Sequence, residues 1–122
     1  PGALVNMGRM FLDSGKAAEA AQLFEKAVSI EPRRVSANLN LVIAYFQMNQ
    51  IDKALTQAKL TQQIEPEDPK VYNLLGILSN ISGRPDEAVK YLQTALQIDP
   101  NYANAKTNLN RVLSENKPKS IP

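Results

Sequence analysis

Neither cysteine nor histidine occurs anywhere in the 122 residues. Without cysteine no disulfide framework can form, and the redox compartment cannot be read from thiol usage. Without either residue, most zinc sites, Cys–His pairs and Ser–His triads are excluded together. Charge of one sign is also scarce. A formal net charge of +2 is too small to argue for nucleic acid or an anionic membrane as the main partner. Long apolar runs are missing as well: Asn, Gln or Ser interrupts them every few residues, so no transmembrane helix is expected. No signal peptide is visible. The chain starts at Pro1 rather than Met, which leads to the expectation of a fragment or processed product with further repeats outside it.

What is present is a period. Glu31-Pro32, Glu65-Pro66 and Asp99-Pro100 recur at 34 residues, each after an isoleucine (Ile30, Ile64, Ile98). A fixed spacing of this size marks a stacked repeat. Proline lacks an N–H and its ring clashes with the preceding turn, so each one ends a helix. With the prolines at position 32, the units are residues 1–34, 35–68 and 69–102, followed by a remnant at 103–116. Position 15 reads Gly15, Asn49 and Gly83, residues that tolerate the left-handed conformation closing a helix. Each unit is therefore helix, turn, helix.

The apolar spacing agrees. Ala37, Leu41, Ala44, Tyr45 and Met48 form a helical stripe, as do Ala88, Val89, Leu92, Ala95, Leu96 and Ile98. Asp68 before Pro69 reads as an N-cap with proline at the first helical position. Pro85-Asp86-Glu87 opens another helix with acids suited to its positive end. Seven helices are expected, near 3–14, 17–30, 35–48, 51–64, 69–82, 85–98 and 102–116, with no strand. Residues 117–122, holding two prolines and two lysines, are expected to form a flexible tail.

These residues resemble the tetratricopeptide repeat, whose unit carries a large residue at position 4, Leu at 7, Gly at 8, Tyr at 11, Ala at 20, Phe at 24, Ala at 27 and Pro at 32. Unit one reads Leu4, Met7, Gly8, Phe11, Ala20, Phe24, Ala27, Pro32. Unit three reads Tyr72, Leu75, Gly76, Ser79, Ala88, Leu92, Ala95, Pro100. Unit two matches least, with Asn38, Leu41, Val42, Tyr45, Ala54, Ala58, Thr61, Pro66. The resemblance implies an all-α, right-handed α-solenoid: one domain over 1–116, with 103–116 as a capping helix. Gly8 and Gly76 would let the first helix of a unit (helix A) approach the second (helix B). Val42 and Ala58 look like a compensating exchange of bulk. Lys106 and Asn110 give the last helix the polar outer face of a cap. Ala3, Met7 and Met10 leave the first helix without one, so further repeats or an association are expected there.

In this family the concave groove is lined by helix A. By register it comprises Val5, Asn6, Arg9, Leu39, Asn40, Ile43, Phe46, Lys70, Asn73, Leu74, Ile77, Asn80, Asn108 and Arg111. Asn6, Asn40 and Asn108 share position 6, and an amide both donates and accepts, so such a ladder can hold a peptide backbone. Leu39, Ile43, Phe46, Leu74, Ile77 and Ile81 form either an apolar groove centre or, where they tuck against the neighbouring helix A, part of the core. Arg9, Lys70 and Arg111 favour a partner of some acidic character. One subgroup grips a C-terminal carboxylate with five residues; Asn40 and Lys70 match it, whereas Val5, Arg9 and Leu74 do not, so that clamp is not expected.

No catalytic set emerges. Ser14-Gly15-Lys16 looks like the end of a phosphate-binding loop, but the earlier glycine is misplaced and no Ser or Thr follows. The acids at 65, 67, 68, 86 and 87 sit at helix termini, where capping accounts for them. The basic residues lack interleaved aromatics, which disfavours nucleic acid. The expected function is a scaffold or adaptor binding a protein or extended peptide, without catalysis, cofactor, metal, nucleic acid or membrane insertion. The alternatives are a regulatory or targeting segment of a larger enzyme, or a module that self-associates through its uncapped N-terminal face.

Overall fold

The computed structural model describes residues 1–116, and the tail expected at 117–122 lies outside the described residues. Seven α-helices and no strand occur among them: α1 Gly2–Asp13, α2 Ala17–Ile30, α3 Val35–Gln47, α4 Ile51–Ile64, α5 Pro69–Ile81, α6 Pro85–Ile98 and α7 Ala103–Glu115. They fall into two compact units, Pro1–Pro66 with α1 to α4 and a second beginning at Glu67 with α5 to α7. No helix among the described residues is long and apolar enough to cross a membrane.

The helix boundaries follow from local chemistry. α2, α4 and α6 end at Ile30, Ile64 and Ile98 because the next residue, an acid preceding proline, is pushed out of the helical region. Within each hairpin the first helix closes through position 15. Gly15 (φ 77°), Asn49 (φ 60°) and Gly83 (φ 80°) are left-handed. The next N–H reaches back one turn: Lys16 to the Phe11 carbonyl at 2.8 Å, Gln50 to Tyr45 at 2.9 Å, Arg84 to Ser79 at 2.8 Å. Helix starts are marked too. The Asp68 carboxylate accepts from the Lys70 N–H at 3.0 Å, and Pro69 opens α5.

In the first unit α1 pairs with α2 and α3 with α4, while α2 also packs on α3. Its core gathers Val5, Leu12, Ala20, Phe24, Ala37 and Leu41 with neighbouring alanines. A methyl group at Gly8 would overlap the Phe24 ring, so the absent side chain is what admits the aromatic. In the second unit α5 pairs with α6, and α7 packs on both. There a Cβ at Gly76 would lie 2.6 Å from Leu92 Cγ. The middle hairpin has Val42 and Ala58 at the corresponding positions, both fully buried: bulk sits on helix A instead of helix B.

One polar arrangement fixes the first unit. Asn38, only 1% exposed, donates its Nδ2 to the carbonyls of Pro32 (3.1 Å) and Arg34 (2.8 Å), and its Oδ1 accepts from Gln57 Nε2 at 2.6 Å. The turn between the hairpins is thereby tied to α4. A buried amide so fully bonded is favourable, whereas the same group left unpaired is costly.

Candidate binding faces on the helix A elements

The sequence register assigns positions 5, 6, 9, 12 and 13 of a repeat to the candidate binding side of helix A. In the first unit this side belongs to α1 and α3. α3 contains no charged residue at all. Leu39 and Ile43 are half-buried there, with Ile43 resting against the core, and Phe46 is 36% exposed. The row is thus part wall and part open surface, between the two readings the sequence allows. Asn40 lies beside it and donates Nδ2 to the Ser36 carbonyl one turn back at 2.8 Å. Asn6 and Arg9 on α1 are exposed.

Val5 corrects the sequence reading. It is 5% exposed and belongs to the core of the first unit, so it presents nothing to a ligand. The physical reason is that it shares the core with Leu12 and Phe24, where an aliphatic side chain gains more from burial than from solvent.

In the second unit the side is formed by α5 and α7. Lys70 and Arg111 are exposed, Leu74 and Ile77 half-buried, and Ile81 is 51% exposed. Asn73 is 7% exposed and its Oδ1 accepts from Asn108 Nδ2 at 2.8 Å. The amide ladder expected from sequence is therefore altered here: its member Asn108 is engaged by Asn73 across α5 and α7. Packing of α7 onto α5 buries Asn73, and a buried amide takes the nearest partner. Further along, Asn80 donates to Glu115 Oε2 at 3.3 Å and accepts from Asn116 Nδ2 at 3.5 Å.

Charge is distributed unevenly over these helices. α1, α3, α5 and α7 carry two acids, Asp13 and Glu115, and Glu115 is engaged by Asn80. The remaining acids lie on helices B and in turns. Two tyrosines are tuned by their surroundings. Burial chiefly, then the Glu25 carboxylate, raises Tyr45 above its usual range. Burial, then Glu87 and Tyr72, does the same for Tyr91, whose ring lies 6.5 Å from that of Tyr72.

Sequence reasoning overlooked the Asn38–Gln57 pair. Its signal was present: position 4 holds a polar residue in this unit where the others have Leu4 and Tyr72.

Comparison with known proteins is consistent with this architecture. Two family models described as tetratricopeptide repeat match residues 11–78 and 69–102. The small glutamine-rich tetratricopeptide repeat-containing protein 2 of Mycosarcoma maydis is 34% identical over 97 residues, covering 80% of this chain and 27% of its own length. The chain thus spans little more than a quarter of that relative. Among solved structures, the Sgt2 tetratricopeptide domain from Aspergillus fumigatus superposes with a TM-score of 0.89 at 19% identity, covering 99% of this chain and 86% of that one. The first such domain of Spaghetti (RPAP3), bound to the HSP90 peptide SRMEEVD, gives 0.88 at 22% identity, covering 93% and 90%.

Proposed function

This chain belongs to the tetratricopeptide repeat family, and on that premise we propose that it binds a protein or extended peptide through the open sides of its helix A elements. The role is that of an adaptor or scaffold, with no catalytic step assigned to any residue. The observation that carries the reading is α3, an uncharged helix whose Leu39, Ile43 and Phe46 remain partly accessible to solvent. Apolar surface kept open beside hydrogen-bonding amides suits an extended segment: side chains seat on the aliphatic row, and the backbone meets the Asn side chains. A peptide held on a domain of the same fold in RPAP3 supports the reading.

The exposed cations Arg9, Lys70 and Arg111 favour acidic residues in the partner and orient it more than they tighten it. A grip on a C-terminal carboxylate of the kind described for one subgroup is not part of the proposal. Val5 lies in the core, and Leu74 offers no hydrogen-bond donor. Asn40→Ala and Ile77→Glu used as bait should each lose partners that the parent protein retains. An unchanged set of partners, with helical content intact, would contradict the assignment.

Self-association is a second reading, favoured by the exposure of Met7 (49%) and Met10 (70%) on α1.

A further inference from the structure

Positions 4 and 23 of a repeat meet between its two helices, and their residues differ from one hairpin to the next. In the α5–α6 hairpin they are two rings, Tyr72 and Tyr91, with centres 6.5 Å apart. In the α3–α4 hairpin they are the shorter amides Asn38 and Gln57, joined at 2.6 Å. Beside that amide pair the surface is hollow. A recess of about 340 Å³ opens between the C-terminal parts of α2 and α4 and the 31–34 turn, wholly within the first unit. Sites for small ligands or a few peptide residues begin at about 300 Å³.

The lining divides by chemistry. Val28, Leu60 and Ile64 form one aliphatic wall, and Leu60 is 48% exposed where the same position holds Lys26 in α2 and Thr94 in α6. Gln57 brings directed hydrogen bonding. Its Nε2 donates to Asn38, which is itself held by the Pro32 and Arg34 carbonyls, so the amide is fixed in place. The Oε1 and second N–H of Gln57 have no partner among the described residues, and together they match the N–H and C=O of a peptide group. Arg33 brings charge. It is exposed and is the one charged residue in the lining among the described residues. Glu31, in the same turn, is already paired with Arg34 at 3.0 Å. A planar guanidinium left in this way suits a carboxylate, which it grips with two parallel bonds, and it repels an ammonium.

We propose that this recess is a second docking site, on the helix B side, for a peptide segment with an aliphatic residue adjacent to an acidic one. The aliphatic side chain lies against Val28, Leu60 and Ile64. The peptide group between the two residues pairs with the Gln57 amide, and the carboxylate meets the Arg33 guanidinium. The site shares no residue with the helix A positions proposed for ligand binding. The two are therefore separable.

The probe is the tripeptide aspartyl-leucyl-aspartate, acetylated at one end and amidated at the other, titrated into isotope-labelled protein and followed by NMR. Resonances of Arg33, of the Gln57 side-chain amide and of Leu60 should shift and saturate, with a Kd on the order of 1 mM. Asparaginyl-leucyl-asparagine lacks the charge and aspartyl-glycyl-aspartate lacks the side chain; each should bind several-fold more weakly. Arg33→Glu and Leu60→Lys change exposed residues, and each should weaken the probe several-fold while the spectrum stays that of a folded protein. Ile77→Glu disables the helix A site and should leave the affinity for this probe unaltered, so failure of one site is distinguished from failure of the other. Absence of saturable shifts at the three residues up to about 20 mM probe would overturn the proposal. So would equal binding of either analogue, or an affinity that survives Arg33→Glu.

Discussion

Gly76 and Leu92 occupy one space: a Cβ on the glycine would lie 2.6 Å from Cγ of the leucine, closer than real side chains approach. The pair locks α5 to α6, as Gly8 and Phe24 lock α1 to α2. Alanine is ordinarily the better helix former by about 1 kcal/mol. Here overpacking outweighs that gain, and Gly76→Ala should destabilise the protein by about 1–3 kcal/mol in urea unfolding. Adding Leu92→Ala should make the glycine substitution close to neutral or favourable, a coupling that a double-mutant cycle measures directly.

The middle hairpin reverses the arrangement, with Val42 on helix A and Ala58 on helix B, both buried. Val42→Gly should remove packed volume and add backbone freedom, at a cost of about 2–4 kcal/mol. If the two positions share one space, Val42→Gly with Ala58→Leu should recover a substantial part of that loss. An unchanged melting temperature for Val42→Gly would contradict the exchange of bulk.

Asn38 makes three hydrogen bonds while almost wholly buried. Asn38→Leu should leave the Pro32 carbonyl and the Gln57 amide without this partner, while the Arg34 carbonyl keeps the backbone N–H of residue 38. The expected cost is about 1–3 kcal/mol, since the two groups left unpaired are partly open to solvent. Hydrogen exchange should show the first unit loosened around the 31–34 turn.

The extent to which the sequence was legible follows from which residues act locally. Helix limits were readable because Glu31-Pro32, Glu65-Pro66 and Asp99-Pro100 impose them on their own neighbours. The Gly8–Phe24 and Gly76–Leu92 locks were readable because one repeat can be compared with the next. The binding faces were only partly readable. Val5 has the register of an outward residue, yet it is buried in a core to which α2 and α3 also contribute. Asn73 and Asn108 are 35 residues apart, and their bond depends on how closely α7 approaches α5. Side-chain hydrogen bonds between distant helices leave no periodic trace.

Tyr91 provides a pH test. Its folded pKa is raised, first by burial and then by Glu87 and Tyr72. The folded state thus holds the phenol proton more tightly than the unfolded chain does. The resulting stability is complete below the ordinary tyrosine value of about 10 and is lost as pH rises through the raised folded value. Thermal midpoints should fall above that pH, and Tyr91→Phe should flatten the decline.

The central claim concerns which side of the helices takes the ligand. Selection of a displayed random dodecapeptide library tests it most directly, comparing the parent protein with Ile77→Glu on α5 and with Lys90→Glu on α6 as a helix B control. Sequences enriched by the parent should be enriched equally by Lys90→Glu and reduced at least ten-fold with Ile77→Glu, about 1.4 kcal/mol or more in binding. Equal enrichment by all three proteins, each with unaltered helical content, would place the ligand elsewhere and contradict the assignment of the helix A faces.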